Sequence, residues 1–395
     1  VYLSLPREIL CEPVSRKDLA DSPPLAAVTG TGNPADIATA AAWLAGAKRP
    51  LVIAQRGAGD ADSFAAFADW CASWGIAVCS WWTTHLAIAT DHPCHIGPDP
   101  NPWLAEADVV VSLNCLAPWW PDKHPLNPAA RVINIGPDPM FSRTPVRGFR
   151  SDISIAGETS EVLPALFRAM HALPRDEAAV TGRMQRLSAA SDAVRAAQQA
   201  EAASQTAKGI TKTWVSHCLG LALEGKTSTV FSELGTILGP LKRTEHKSWF
   251  QEPHSGGLGW SFPAALGAQL TDPERICIAT LGDGSYMFAN PTVCHQIAEA
   301  LDLPVLVIVL NNEEWGTVRG SVAGLYPDGY AAKANEMPLT ALKPSPDFTK
   351  TAGASRAWTR RVTHADEVPD ALAAALHVVQ VERRQALLDI AILPL

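Results

Sequence analysis

The sequence has no excess of positive charge, no long apolar run and no closely paired cysteines. Its formal net charge is −8 over 395 residues, which argues against a nucleic-acid binder because phosphate backbones attract basic surfaces. No apolar run approaches the roughly 20 residues that span a bilayer, so we expect no membrane segment. The eight cysteines form no CxxC pair, which indicates reduced thiols and a cytoplasmic protein.

The N-terminus lacks a methionine, a basic segment and a signal peptide, and it opens with the stretch "VYLSL". This stretch predicts a buried strand that begins at the first residue, which is an unusual start for a folded domain. We therefore expect a domain upstream of this chain, with processing as the alternative. Residues 13–34 are rich in Pro, Ser and Gly, which is typical of a linker.

The rest of the composition is that of a folded protein with more than one domain. Hydrophobic residues make up 47% and charged residues 18% of the chain, a normal globular balance. The length exceeds what one ordinary core organises, so two or three domains are expected.

Short apolar runs alternate with helical patterns in two parts of the chain, residues 25–160 and 206–395. The first part contains the predicted strands "PLVIA", "IAVC", "ADVVVSL" and "RVINIG". Asn33 before Pro34 is typical of a helix N-cap followed by the first helical residue. The second part contains "STVFS", "RICIATL", "LPVLVIVL", "RAWTRRV" and "QALLDIAI". This alternation predicts an α/β protein with two doubly wound parallel sheets, each covered by helices on both faces.

Two further segments have different patterns. Residues 161–205 are Ala-rich and helical without a strong apolar stripe, so we interpret them as a connecting segment. Residues 316–350 contain Gly, Pro and Tyr with little periodicity, which favours a long loop of the kind that covers or lines a binding site.

Polar residues follow two apolar runs of the second part. "GDGS" comes directly after "RICIATL", and the pair Asn311-Asn312 ends "LPVLVIVL". Ligands of open α/β sheets bind at the carboxyl ends of the strands. Mg²⁺ prefers hard oxygen ligands, which carboxylates and amides provide, and shares its coordination with phosphates. Asp283 and Asn312 are therefore candidate metal ligands, with two ordinary strand–turn junctions as the alternative.

The glycines of this motif suit an anionic ligand. Gly282 and Gly284 allow the backbone to approach a ligand closely. The amides of Gly284 and Ser285 would face anionic oxygens near the start of the following helical segment. The pattern thus predicts a diphosphate beside the metal.

The whole pattern resembles that of a known family. "GDG", then residues 285–310, then "NN" resembles the thiamine diphosphate-binding motif, and "SGGLGWSFPAALGAQL" resembles the segment that precedes it in the acetolactate synthase and benzoylformate decarboxylase superfamily. Residues 25–160 are similar to the Rossmann-like middle domain of this family, and residues 206–395 to its diphosphate-binding domain. "VYLSLPRE" resembles the last strand of its pyrimidine-binding domain. Residues 1–24 would then hold this strand and a linker, with the rest of that domain missing.

The resemblance also implies roles for individual residues. Asp283 and Asn312 would bind Mg²⁺ through side-chain oxygens, and Glu314 through its backbone carbonyl. The implied residues around thiamine diphosphate are Thr236 near the phosphates, Gly256 accepting from the aminopyrimidine through its carbonyl, Leu258 under the bent cofactor, and Gly282, Gly284 and Ser285 at the diphosphate.

The family's activating Glu would lie on the missing pyrimidine-binding domain, so no residue of this chain takes that role. The resemblance implies that this domain is needed in cis or in trans, and that the protein forms a homodimer or homotetramer. His254 is a candidate proton donor to the substrate, with a structural or solvated histidine as the alternative.

The resemblance implies a lyase or transferase that acts on small 2-oxo acids by decarboxylation or carboligation. "SELGTILGP" and "NNEEWGTVR" depart from the acetolactate synthase pattern, so cleavage of 2-hydroxyacyl or oxalyl thioesters stays open. A catalytically incomplete partner chain that binds the cofactor is a further alternative. No GxGxxG follows the first strand, which argues against a nicotinamide dehydrogenase, and "AQRGAGD" is too weak a glycine pattern to support FAD.

Several other residues have two interpretations. Glu233 could approach the active centre, but a strand-end carboxylate without a catalytic role is the favoured reading. Trp315 and Arg319 are candidates for the substrate side, with a surface arginine as the alternative for Arg319. "DHPCH" at 91–95 matches no familiar zinc spacing, and the tryptophan pairs at 81–82 and 119–120 are interpreted as packing residues.

Overall fold

The computed structural model describes residues 4–19, 24–26, 28–57, 59–205, 208–254, 256–334 and 337–394. Within these residues the strands form two separate sheets, one with five strands and one with six, and every pairing in both is parallel. The predicted α/β class with two parallel-sheet units is therefore confirmed. No helix of the described part of the chain combines the length and apolarity of a membrane span.

The first unit contains the five-stranded sheet, in the order β2-β1-β3-β4-β5. Its strands are β1 (Pro50–Ala54), β2 (Ala77–Cys79), β3 (Val109–Leu113), β4 (Arg131–Gly136) and β5 (Ile153–Ala156). The helices up to the end of this unit are α1 (Arg7–Leu10), α2 (Pro34–Ala45), α3 (Ala61–Trp74), α4 (Trp103–Glu106), α5 (Thr159–His171) and α6 (Glu177–Gln205). The first three strands are buried along their whole length, because helices cover both faces of a parallel sheet.

The second unit contains the six-stranded sheet, in the order β10-β11-β9-β8-β6-β7. Its strands are β6 (Ser228–Glu233), β7 (Trp249–Gln251), β8 (Ile276–Gly282), β9 (Leu306–Asn311), β10 (Trp358–Val362) and β11 (Ala386–Ala391). Its helices are α7 (Lys212–Ala222), α8 (Leu238–Leu241), α9 (Ser261–Thr271), α10 (Asp283–Phe288), α11 (Pro291–Ala300), α12 (Gly316–Leu325), α13 (Tyr330–Lys333), α14 (Phe348–Gly353) and α15 (Val368–Gln380).

The start of α2 confirms the predicted cap. The Asn33 side chain accepts a hydrogen bond from the amide of Ala35, and Pro34 occupies the first helical position. Pro suits this position because its missing N–H would have no partner inside the helix.

The predicted boundary at residue 160 falls inside α5. This helix packs into the core of the first sheet through Val162, Leu166 and Met170. Only α6 has the character of a connecting helix, since most of its residues are exposed or half-buried. Arg183 of α6 donates to the carbonyls of Trp74 and Ala47, which ties the helix to the first unit.

Three expectations from the sequence differ from the structure. Residues 1–3 of "VYLSL" lie outside the described residues, and residues 4–6 form no strand before α1. The predicted loop at 316–350 contains α12, α13 and the start of α14; the glycines inside α12 weaken its helical signal in the sequence. Strands β5 and β7 were not predicted, because both are short and lie at sheet edges, where the apolar pattern is weak.

Candidate active site

The carboxyl ends of three neighbouring strands, β6, β8 and β9, meet at one edge of the second sheet. Glu233 at the end of β6 pairs in register with Leu281, and Gly282 pairs with Leu310. Asp283 and Asn312, which follow β8 and β9, therefore lie on the same edge. This edge opens on a cleft of about 990 Å³, called here the motif cleft. Its walls include eight of the predicted metal and cofactor residues, namely Gly256, Leu258, Gly282, Asp283, Gly284, Ser285, Asn312 and Glu314.

Asp283 presents a buried oxygen that lacks a protein partner. The residue is 2% exposed, and its Oδ1 accepts a hydrogen bond from the amide of Gly284 at 2.9 Å. Its Oδ2 is buried without a hydrogen-bond partner among the described residues. Burial raises the pKa of this carboxyl to about 6, although the nearby amides of Gly284 and Glu313 lower it. A buried carboxylate oxygen without a partner is costly, and a bound cation would satisfy it, so the residue fits a Mg²⁺ site.

The two asparagines at the end of β9 have different surroundings: Asn311 is its last residue and Asn312 follows it. Asn311 is buried and donates to the carboxylate of Asp389 at 3.1 Å, which ties β9 to β11. Asn312 lines the motif cleft, and its Oδ1 accepts from the amide of Glu314 at 3.2 Å. The carbonyl of Glu314 accepts from the amide of Gly316 at 2.8 Å. Both oxygens keep a second lone pair for a cation, and Asn312 rather than Asn311 faces the cleft as predicted.

The "GDGS" residues begin helix α10 and contribute its first turn. Amides of a first helical turn have no backbone acceptor within the helix. The Gly284 amide donates to the Asp283 carboxylate, and the Ser285 amide suits the anionic oxygens of a diphosphate. The indole of Trp315 lies against Gly284, so closely that a Cβ at this position would overlap the ring. A larger residue at 284 would therefore have to displace the Trp315 ring.

Glu233 holds the glycine-rich loop, which we define as residues 256–260. The Glu233 side chain is fully buried. Its Oε1 accepts from the amide of Gly259 at 2.5 Å, and its Oε2 accepts from the amide of Ser261 at 2.7 Å. The loop contains Gly256, whose φ of +62° favours glycine, and Leu258. Glu233 thus anchors the C-terminal end of the loop that carries the predicted cofactor residues Gly256 and Leu258.

Alanine at position 259 is expected to destabilise the protein by about 3 kcal/mol. Gly259 has a φ of +89°, and a Cβ there would lie 2.6 Å from the backbone of Phe288. Gly257 lies in the same loop with open space around it and without a positive φ, so Gly257→Ala is the matched control. Chemical denaturation of both variants measures the difference. Equal stabilities would contradict the strained turn at Gly259.

Thr236 lies apart from the other predicted cofactor residues. Its hydroxyl is 2.9 Å from the hydroxyl of Thr280, and its amide donates to the same Thr280 oxygen at 3.2 Å. The neighbouring Gly235 packs directly against the Thr280 backbone, which turns Thr236 towards β8. Thr236 lines a second cleft of about 1,020 Å³, not the motif cleft.

Two charged residues that the sequence did not single out line both clefts, Lys212 and Glu252. The Lys212 ammonium donates to the carbonyl of Leu234 at 2.5 Å. Burial lowers the pKa of Lys212, while the charges of Glu252 and Asp283 raise it. Glu252 is 4% exposed and its Oε2 has no hydrogen-bond partner among the described residues. Burial raises the pKa of Glu252 to about 7. Both residues lie far from the motif in sequence, so no spacing could have indicated them.

Glu252 should make the free energy of unfolding depend on pH. Its pKa rises from 4.5 to about 7 on folding, so between these values the native state binds more protons than the unfolded state. Stability therefore falls as the pH rises through this window, by up to about 3 kcal/mol. We expect Glu252→Gln to match the unaltered protein at pH 4.5 and to exceed its stability at pH 8. Urea denaturation at both pH values checks this, and parallel pH profiles would contradict it.

His254 lines the motif cleft and contacts the first unit. Its ring stacks on Trp82 with a centroid distance of 4.7 Å and an interplanar angle of 18°. Its Nε2 lies 2.7 Å from Nε2 of Gln55, and burial lowers the pKa of this histidine. Trp82 and Gln55 are therefore site residues contributed by the first unit. No sequence pattern distinguishes Trp82 from its neighbour Trp81, which packs against His124.

The remaining residues that the sequence analysis considered make hydrogen bonds or ring contacts within the protein. In "DHPCH", His92 accepts from the amide of Cys94, and the His95 ring contacts Thr90 and Ser80. The described residues include no group of three or more His, Cys, Asp or Glu side chains that could hold a metal. Trp119 packs edge-on against Phe149.

Of the two candidates on the substrate side, Trp315 and Arg319, only Trp315 lines the motif cleft. Trp315 lines the cleft and packs edge-on against Phe288. The Arg319 guanidinium pairs with the Glu314 carboxylate at 3.0 Å. Arg319 is therefore engaged with the segment that carries the candidate metal ligands.

Family models and relatives agree with this geometry. The central domain of thiamine pyrophosphate enzymes matches residues 37–166, and their C-terminal TPP binding domain matches residues 235–390. A probable 2-ketoarginine decarboxylase of Pseudomonas aeruginosa is 26% identical over 384 residues, which span 93% of this chain and 63% of that protein. A probable acetolactate synthase large subunit of Methanocaldococcus jannaschii is 26% identical over 380 residues, which span 92% of this chain and 61% of that protein.

A solved structure shows the same fold at lower identity. Benzoylformate decarboxylase from Polynucleobacter necessarius superimposes with a TM-score of 0.69 and 16% identity, over 97% of this chain and 68% of that one. The chain spans less than two thirds of the length of the curated relatives named above. On these matches, the chain belongs to the thiamine pyrophosphate enzymes of the decarboxylase and acetolactate synthase family, and it contains their central and C-terminal cofactor-binding domains.

Proposed function

We propose that the motif cleft binds Mg²⁺ and the diphosphate of thiamine diphosphate, in an enzyme that decarboxylates or carboligates 2-oxo acids. One observation carries the proposal: the buried Oδ2 of Asp283 has no partner among the described residues, and it belongs to a cleft shared with Asn312 and Glu314. A divalent cation there would join the three oxygens and leave coordination sites for phosphate.

The chain's own residues would orient the cofactor. The Asp283 carboxylate, the Asn312 amide oxygen and the Glu314 carbonyl would hold the metal, and the amides of Gly284 and Ser285 would face the diphosphate. Thiamine diphosphate supplies, when bound, a nucleophilic carbon and an electron sink for the departing group.

Two loop residues would contact the other half of the cofactor. The carbonyl of Gly256 would accept a hydrogen bond from the aminopyrimidine, and the side chain of Leu258 would lie under the bent cofactor. The loop is anchored before any ligand binds, because it is held by the two hydrogen bonds to the Glu233 carboxylate.

Further proposals concern the substrate class, the missing domain and the assembly. Relatives named for 2-ketoarginine decarboxylation and acetolactate synthesis support 2-oxo acids as substrates. We propose that a pyrimidine-binding domain, in cis or in trans, supplies the activating Glu and that the protein works as a homodimer or homotetramer. The cytoplasmic location also stays a proposal, supported by eight unpaired cysteines.

Calorimetry with thiamine diphosphate, with and without Mg²⁺, tests the cofactor site. We expect the binding of thiamine diphosphate to depend on Mg²⁺. Inorganic pyrophosphate, which represents only the diphosphate part of the cofactor, should also bind in a Mg²⁺-dependent way. If neither ligand binds in a Mg²⁺-dependent way, the assignment of the cofactor site is wrong.

A second experiment tests the reaction: the chain together with a pyrimidine-binding domain is mixed with cofactor and a panel of 2-oxo acids, and CO₂ release is measured. Cofactor binding without any turnover would contradict the reaction class and leave the site intact.

A further inference from the structure

The contact between Gln55 and His254 fixes where the proton of the histidine lies. Gln55 Oε1 accepts from the amide of Leu116 at 3.0 Å, and Gln55 Nε2 donates to the carbonyl of Ala117 at 2.8 Å. Turning the carboxamide over would set its oxygen against the Ala117 carbonyl and its nitrogen against the Leu116 amide. The orientation of the Gln55 side chain is therefore determined by the backbone of its own unit.

The second N–H of Gln55 is then directed at Nε2 of His254, at 2.7 Å. A nitrogen that accepts a hydrogen bond cannot carry a proton itself. The ring of His254 must therefore be neutral, with its proton on Nδ1. Burial acts in the same direction, since it lowers the pKa of His254.

Trp82 fixes the plane of the same ring. Its indole stacks on His254 at 18°, and its Nε1 donates to the carbonyl of Glu252 at 3.1 Å. Trp82 adopts a left-handed backbone conformation with a φ of +47°, which is strained for a bulky residue. Such strain persists where the surroundings over-determine a conformation, and it clusters at functional sites.

We propose that Gln55 and Trp82 are positioning residues that hold His254 as the neutral Nδ1–H tautomer, so that this N–H serves as a hydrogen-bond donor to an anionic oxygen of the substrate. This inference rests on the proposed function, which places a 2-oxo acid in the motif cleft. The first unit would then determine the donor that the second unit offers to substrate.

The neutral ring keeps the hydrogen bond that a protonated ring would lose. The charged groups that line the motif cleft with His254 are four carboxylates and one ammonium, namely Glu233, Glu252, Asp283, Glu314 and Lys212. These carboxylates would favour an imidazolium, but a proton on Nε2 would face the N–H of Gln55 at 2.7 Å. A neutral Nδ1–H polarises a substrate oxygen without this conflict.

Nitrogen NMR of the chain with ¹⁵N-labelled histidine tests the tautomer without any ligand. Long-range ¹H–¹⁵N correlations distinguish the protonated from the unprotonated ring nitrogen, and His254→Ala identifies the signals. We expect Nδ1 of His254 to be protonated and Nε2 to be unprotonated at pH 7. Protonation at Nε2 would overturn the proposal whether or not the protein binds thiamine diphosphate.

Two variants of Gln55 separate positioning from mere packing. Gln55→Met keeps the volume and removes the donor, so the His254 signals should change to a mixture of tautomers. Gln55→Glu replaces the donor with an acceptor, so it should protonate Nε2 and raise the pKa of His254 by at least about 1. His254 signals that stay unchanged in both variants would overturn the role of Gln55.

His295 provides the internal control. Its Nδ1 contacts Oε1 of Gln385 at 2.7 Å, while Nε2 of Gln385 donates to two backbone carbonyls. By the same reasoning it is an Nδ1–H tautomer held within the second unit. Its signals should stay constant in both Gln55 variants, which verifies that the fold is intact.

Discussion

Replacing Asp283 with alanine or asparagine is expected to abolish Mg²⁺-dependent binding of thiamine diphosphate. The carboxylate contributes the only charge among the three proposed metal ligands, and its Oδ2 is buried without a partner among the described residues. Loss of this ligand should weaken binding on the order of 100-fold or more, which corresponds to about 3 kcal/mol. Calorimetry with Mg²⁺ present measures the change, and unchanged affinity would rule out the assignment of the metal site.

Asp283→Asn also separates ligand loss from unfolding. The substitution keeps the shape of the side chain and removes a buried charge, which carries a desolvation cost in the ligand-free protein. The melting temperature without ligand should therefore stay the same or rise while binding is lost. Asp328, whose side chain is 93% exposed, provides the surface control, and Asp328→Ala should bind the cofactor normally.

Removing the carboxylate of Glu233 is expected to release the glycine-rich loop and to destabilise the protein by about 3 kcal/mol or more. Glu233→Ala loses two charge-assisted hydrogen bonds and leaves the amides of Gly259 and Ser261 without acceptors in a buried place. Glu233→Gln keeps one acceptor but directs an NH₂ group at the second amide, so it should also destabilise the protein.

Hydrogen exchange gives the local signature of this change. The amides of Gly259 and Ser261 should exchange much faster in both Glu233 variants, and thiamine diphosphate should bind more weakly because Leu258 loses its position. Glu274 is exposed on the same unit, so Glu274→Gln should shift stability by no more than about 0.5 kcal/mol. Protected loop amides in Glu233→Ala would show that something other than this carboxylate holds the loop.

The strands that lead to the site, β8 and β9, could be predicted from the sequence alone. Strands β8 and β9 are continuous apolar runs because parallel strands are buried on both faces, and polar residues at their ends signal the ligand edge. The proximity of Asp283 and Asn312 could be predicted without tertiary information, because adjacent parallel strands bring their carboxyl ends together.

Other parts of the site depend on contacts between distant segments. Gln55 and Trp82 reach His254 from another unit, and nothing in their local sequence indicates this. The family resemblance implies Thr236 near the phosphates, which stays a prediction; in the structure the close packing of Gly235 on Thr280 directs it to the second cleft, which shares Lys212 and Glu252 with the motif cleft. The helix α12 was hidden by its own glycines. Contacts between the units decide the case of Gln55 and Trp82, packing within the second unit decides that of Thr236, and low local helix propensity decides that of α12.

The contrast between Asn311 and Asn312 limits which insertions β9 could tolerate. Side chains alternate along a strand, so adding or deleting one residue between Leu306 and Asn311 would exchange the surroundings of the two asparagines. Asn311, which donates to Asp389, would then face the motif cleft, and Asn312, the candidate metal ligand, would be buried. Variation in length near this site should therefore be confined to the loop before β9, where a change leaves the alternation intact.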